Sequence, residues 1–105
     1  MRALAALRVL AEPRRLQILD LLREGERPVG ELVDRVGLSQ PAVSKHLRVL
    51  RDAGLVEARP EAQRRLYRIR PELLVELDEW LASYRQLWTT HFDQLEDHLD
   101  RRRKR

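Results

Sequence analysis

SQPAVSKHLRVLRDAGLV, residues 39–56, is the stretch that decides the fold. Ser39 can cap a helix, Pro41 suits its first turn, Val43, Leu47 and Leu50 recur at helical spacing, and Gly54 supplies a left-handed stop. On the predicted helix Val43, His46, Leu47 and Leu50 gather on one side. Pro41, Ser44, Lys45 and Arg48 lie opposite, with Gln40 at the exposed start. The first side is built to pack. The second, small and basic, lets the helix backbone come close to a partner.

Upstream, Pro28 opens another short helix with Leu32, Val33 and Val36 on its core side and Gly37 behind it. Gly37-Leu38-Ser39 leaves room only for a tight turn. Residues 30–54 therefore read as a helix-turn-helix locked by Leu32, Val36, Leu38, Val43, Leu47 and Leu50. Leu4, Leu7, Leu10 and Ala11 mark a first helix. Pro13 begins a second, whose Leu16, Ile18, Leu19, Leu21 and Leu22 face inward until Gly25.

Downstream, Leu55–Arg59 and Arg64–Arg70 read as two strands around Pro60-Glu61-Ala62-Gln63, with Tyr67 and Ile69 alternating with arginines. A hairpin placed after such a helix is a wing, and Arg64 and Arg65 near its tip would meet phosphates or a minor groove. From about Glu72 to Leu99 one long helix is expected. Its apolar stripe is Leu77, Trp80, Leu81, Tyr84, Leu87, Trp88, His91, Phe92, Leu95 and Leu99, against Asp78, Glu79, Gln86, Thr89, Asp93 and Asp97. Such a helix spans about 42 Å at 1.5 Å per residue, longer than a small domain covers, so part of the stripe needs another chain. A homodimer satisfies it and supplies the symmetry for an inverted repeat with half-sites about one DNA turn, roughly 34 Å, apart.

The fold class is thus mainly α with a small β-hairpin, a winged helix-turn-helix in the order α-α-α-α-β-β-α. Residues 1–70 form the binding region, residues 71–100 a long C-terminal dimerisation helix of the same domain, and residues 101–105 a basic disordered tail. Charge follows this division. Residues 1–70 hold 15 Lys+Arg against 9 Asp+Glu, residues 71–100 hold 1 against 8, and the last five residues are all basic. A basic first part favours a polyanion through counterion release. Gln40 and Lys45 then suit base edges, and Arg48 a phosphate.

The 105 residues contain no cysteine, which excludes disulfides, zinc ribbons and thiolate metal sites and suits a reducing cytoplasm, the expected location. MRALAALRVLAEPRR is apolar for too short a run to be a signal peptide, and no segment approaches the roughly 20 apolar residues of a membrane span, so no membrane insertion is expected. Nucleophile elbow, phosphate loop and His-Glu-x-x-His are all absent from the sequence, so no catalytic residue is assigned.

ALRVLAEPRRLQILDLL, PVGELVDRVGLSQPAVSKHLRVLRDAGLV and RRLYRIRPE, in this order and spacing, resemble the winged helix-turn-helix of the bacterial ArsR/SmtB repressors. The resemblance implies a homodimer that binds double-stranded operator DNA, pairs through its first and last helices and represses transcription. It puts base reading at Gln40, Pro41, Ser44 and Lys45, which the helix-face argument reaches independently. With Ser39, Arg48, Arg64 and Arg65 these make up the expected DNA contact. Leu4 and Leu7 of the first helix join Leu77, Trp80, Leu81, Tyr84, Trp88, His91, Phe92 and Leu95 of the last as the expected dimer interface.

WLASYRQLWTTHFDQLEDHL resembles the last helix of the family's metal-free branch, which includes SdpR-like autorepressors. That implies no cofactor, with relief by a protein partner as inducer or by the protein's own level. The family's thiolate sensors place Cys-x-Cys where this chain has Gly30-Glu31-Leu32-Val33-Asp34, and its zinc sensors use a ligand spacing that His91, Asp93, Glu96 and His98 do not reproduce. The wing turn carries Ala62-Gln63 where the family commonly has glycine, and Glu12 stands where an Asp cap is common. Two other readings of the same residues stand beside this one. One is a winged helix used to bind a protein; the other is a repressor that responds to zinc or pH through His91 and His98.

Overall fold

A computed structural model of the chain describes residues 2–103, with the side chains of Trp88 and 101–103 outside that description. Its elements run α1 (Arg2–Leu10), α2 (Pro13–Leu22), β1 (Arg27–Pro28), α3 (Val29–Val36), α4 (Gln40–Asp52), β2 (Val56–Glu61), β3 (Arg64–Ile69), α5 (Glu72–Ala82) and α6 (Arg85–Arg103). They divide into two compact units, Met1–Val75 and Glu76–Arg105, with the division inside α5.

In the first unit, Ile18, Leu32, Val43, Leu47, Leu50, Leu55 and Val56 are fully buried, and Leu22, Val36, Leu66 and Leu73 nearly so. These side chains come from α2, α3, α4, the hairpin and the start of α5, which makes the helix-turn-helix and the wing parts of one core. Leu38 is only half-buried. Leu16, expected to face inward, is instead 46% exposed, because Ile18, Leu19 and Leu22 occupy the inward side of α2.

Helix ends are closed by side chains. Glu12 caps α2, its carboxylate accepting from the Arg15 amide at 3.0 Å, and Ser39 Oγ caps α4 by accepting from the Ala42 amide at 3.3 Å. Gly37 ends α3 in the left-handed region at φ 74°. Beyond α4 the Leu55 amide reaches back to the Leu50 carbonyl at 2.9 Å past Gly54, which joins the helix directly to β2. Arginines take the carbonyl ends of three helices. Arg15 Nε donates to Val9 O at 2.6 Å, Arg27 Nε to Leu21 O at 2.9 Å and an Arg14 guanidinium nitrogen to Val36 O at 3.3 Å. These contacts complement the negative end of each helix.

The sheet has three strands in the order β1-β3-β2, all antiparallel, where the sequence reading gave two. The added strand is only Arg27 and Pro28, paired with Tyr67 and Leu66. A two-residue strand has no periodicity to detect, and Pro28 reads from sequence as a helix opener. It does precede α3 directly, in extended conformation. In the wing, Glu61 pairs with Arg64, so Ala62 and Gln63 form a two-residue turn. Ala62 sits at φ 55°, a left-handed position where the favoured residue is glycine or asparagine.

The single expected helix is two, α5 and α6, parted at Ser83 and Tyr84. No glycine or proline lies there. Instead Ser83 donates both its hydroxyl, at 2.7 Å, and its amide, at 3.3 Å, to the Trp80 carbonyl. The Tyr84 amide bonds Leu81 O at 2.9 Å, and these i to i−3 bonds tighten the last turn until it stops propagating. Arg85 pairs with Asp78 around the break. Of the expected basic disordered tail, residues 101–105, the backbone through Arg103 continues α6, and the last two residues lie outside the described residues.

Two expected outcomes follow from these local features. Ala62→Gly relieves about 1–2 kcal/mol of left-handed strain and concedes about 0.4–1 kcal/mol of unfolded-chain entropy. The net gain is about 0–1.6 kcal/mol, so the thermal midpoint should hold or rise by up to roughly 6–13 °C; a lower midpoint would mean the turn carries no strain. Arg27 has a side chain only 14% exposed and also pairs with Glu24 and Glu31. Arg27→Met should cost about 1–2 kcal/mol in urea unfolding, since it frees the Leu21 carbonyl and two carboxylates together.

Candidate nucleic-acid interface

α4 is held by Val43, Leu47 and Leu50, which are 0–1% exposed, and this fixes which residues point away. Ser39, Gln40, Pro41, Lys45 and Arg48 are exposed, and Ser44 is half-buried. His46 is half-buried on the flank between the two sides. The structure thus brings together on one face the α4 residues singled out from sequence.

Hydrogen bonding separates the members of this face. The Ser39 hydroxyl is engaged in the cap. Among the described residues, Gln40, Ser44, Lys45 and Arg48 have no protein partner for their polar groups, and nothing buried is left unsatisfied. A helix that presents an amide, a hydroxyl, an ammonium and a guanidinium, all uncommitted and beside small side chains, can pair with base edges and phosphates.

The wing arginines divide in the same way. Arg59 makes two bonds to Glu26, at 2.6 and 3.1 Å. This hydrogen bond holds the Glu26 carboxyl below the usual carboxylate range and raises the Arg59 guanidinium. The depressed carboxyl means that the brace is fully present above the ordinary Glu range and is lost as pH falls through the lowered value. Arg68 pairs with Glu57 and Arg64 with Glu61 at 3.2 Å. Arg65 has no carboxylate partner among the described residues. Strand alternation puts Arg65 and Tyr67 on one face of β3 and Arg64 on the other with buried Leu66. Arg65 is brought beside α4. There, a crease of about 250 Å³ is lined by Ser44, Leu47, Arg48, Arg51, Arg65 and Tyr67. Arg51 and Tyr67 escaped the sequence reading. Arg51 was discoverable as the third member of the 44, 48, 51 helical row, whereas Tyr67 read only as a strand residue.

The residues expected at a dimer interface are mostly open. Leu4 and Leu7 of α1 are 51% and 40% exposed while Ala3 and Ala6 beside them are buried. Trp80, Tyr84, His91, Phe92 and Leu95 are exposed and Leu81 half-buried. Leu77 is buried, at 7% exposure. The Trp88 side chain lies outside the described residues. His91 meets Phe92 edge to face at a centroid distance of 6.5 Å. Among the described residues no group of three or more His, Asp or Glu side chains is arranged to hold a metal ion, and no helix is long and apolar enough to cross a membrane.

Known proteins match this architecture. A family model described as bacterial regulatory protein, arsR family, matches residues 12–58. The transcriptional activator HlyU of Vibrio cholerae is 50% identical over 66 residues, which cover 63% of this chain and 61% of that protein. The biofilm growth-associated repressor of Agrobacterium fabrum is 41% identical over 77 residues, 73% of this chain and 66% of its own length. The chain thus spans just under two thirds of each of these relatives. Among solved structures, HlyU from Vibrio cholerae N16961 aligns with a TM-score of 0.67 at 42% identity, over 79% of this chain and 91% of that one. The homodimeric winged helix-turn-helix DNA-binding domain Mb0332 from Mycobacterium bovis, a fragment of residues 1–100 solved by NMR, aligns at 0.65 and 35% identity, over 89% and 83%. By sequence and by fold, the chain belongs to the ArsR family of bacterial regulatory proteins.

Proposed function

We propose that this chain is a homodimeric regulator that binds double-stranded DNA at an inverted repeat and represses its own or a neighbouring promoter, without a metal-sensing site and without catalysis. One observation carries the reading: the uncommitted Gln40, Ser44, Lys45 and Arg48 on the outward face of a core-locked helix, next to a wing. Relatives named as repressors support the negative sign. HlyU is named an activator, and the sign of regulation depends on where an operator lies relative to polymerase.

Pairing is supported by the open apolar residues of α1, α5 and α6 and by the homodimeric state of the Mycobacterium bovis neighbour. The metal-free assignment rests on the absence of cysteine from the whole sequence and on the spacing of His91, Asp93, Glu96 and His98. The inducing signal is then a protein partner or the protein's own abundance, acting in the cytoplasm.

Fluorescence anisotropy against the chain's own upstream DNA and a scrambled duplex, across salt and with and without zinc, tests the reading. The expected result is a specific excess of about a hundredfold or more, insensitive to zinc. Equal weak binding to both duplexes would favour a protein-binding winged helix, and a zinc-dependent affinity would restore His91 and His98 as sensors. In the same assay Gln40→Ala and Ser44→Arg should lower or redirect specificity with unchanged circular dichroism; wild-type specificity in both would remove α4 as the reader. Phe92, 61% exposed, gives the matching test of assembly. Phe92→Glu should convert the dimer to a monomer in light scattering and weaken operator binding in parallel, whereas an intact dimer would move the interface away from α6.

A further inference from the structure

The crease between α4 and the wing concentrates charge. Ser44, Arg48 and Arg51 stand at i, i+4 and i+7 of α4, on one side of the helix. Arg65 and Tyr67 stand on the facing side of β3. No carboxylate lines the crease. Arg51 meets Asp52 only at 3.9 Å, and Arg48, Arg65 and the Tyr67 hydroxyl have no partner among the described residues.

A second hollow of about 320 Å³ adjoins it, lined by Arg51, Ala58, Arg59, Pro60 and Arg65. There Arg59 is already neutralised by its two bonds to Glu26. Arg51 and Arg65 line both hollows, so the uncompensated charge of the whole junction gathers on that pair and on Arg48. Guanidinium groups that converge with no counter-charge repel one another, and the arrangement becomes favourable once an anion with several oxygens sits between them.

Resting on the DNA-binding reading above, we infer that this crease seats one backbone phosphodiester of the duplex, gripped by Arg51 from the helix and Arg65 from the wing. Arg48 and the Tyr67 hydroxyl complete the ring of donors. The wing then touches DNA through the face of β3 that carries Arg65 and Tyr67. Arg64 lies on the opposite face of β3, with Leu66, and is bonded to Glu61, and it takes no part. This phosphate fixes how deeply α4 enters the groove and carries no sequence information of its own.

The test is the salt dependence of duplex affinity for wild type, R51Q, R65Q, R51Q/R65Q and R64Q, each on operator and scrambled DNA. R51Q and R65Q should weaken both duplexes by the same factor, leaving the specificity ratio unchanged. Because both hold one phosphate, the double variant should weaken binding by less than the product of the singles and reduce the slope of log affinity against log salt by about one. R64Q should leave the slope as it is. Strictly multiplicative losses would mean two separate phosphates and overturn the single site, as would a slope change confined to R64Q. A wild-type slope in R51Q/R65Q, with specific binding intact, would overturn the crease while sparing α4 as reader. No affinity of the wild type for any duplex would overturn both. Tight binding of inorganic phosphate without DNA would make the crease a small-anion site instead.

Discussion

Burial of Val43, Leu47 and Leu50 against Leu32 and Val36 is the constraint from which the rest of the molecule follows. A fully buried leucine contributes about 1.5–3 kcal/mol relative to an exposed one, so a rotation of α4 that lifted these side chains would cost more than a small domain can spare. The helix has one orientation about its axis. Whatever lies opposite is thereby presented to solvent, and opposite lie Gln40, Lys45 and Arg48. Presentation of the polar face is a by-product of packing the apolar one.

Arginine is the commonest charged residue here, and the structure assigns it three distinct jobs. Arg14, Arg15 and Arg27 close helix ends, using the planar fork to reach backbone carbonyls that would otherwise point into partly buried space. Arg59, Arg64 and Arg68 are paired with carboxylates on or beside the wing. Arg48 and Arg65 are left without carboxylates among the described residues. Net charge alone would count all of these as the same basic surface. Only the partner of each guanidinium distinguishes a structural brace from a free cation.

That distinction marks the limit of what could be read from residues in a row. The helix-turn-helix, the wing and the outward side of α4 were legible because each rests on periodicity or on a glycine at a boundary, and both are local signals. β1 was not, since two residues have no period and Pro28 argues for a helix start. The α5 and α6 break was hidden for a related reason. Ser83 is an acceptable helix residue, and only its hydrogen bonds to Trp80 reveal that it competes with the helix backbone. Arg64 and Arg65 are adjacent letters with the same chemistry, and their separation onto two faces depends on the exact pair that closes the turn, Glu61 with Arg64. Leu77 sat on the same stripe as Trp80 and Leu81, and burial alone sets it apart.

The amide of Leu55 returning to the Leu50 carbonyl, with the Arg70 amide bonded to Leu55 O at 2.9 Å, has a consequence for recognition. No flexible linker separates helix from hairpin, because the residue that terminates one begins the other and is itself fully buried. Helix α4 and the hairpin are therefore preorganised, and their mutual alignment is set when the chain folds and not when a ligand arrives. Little conformational entropy remains to be lost at the hairpin on association, so the contacts it makes count almost fully toward affinity.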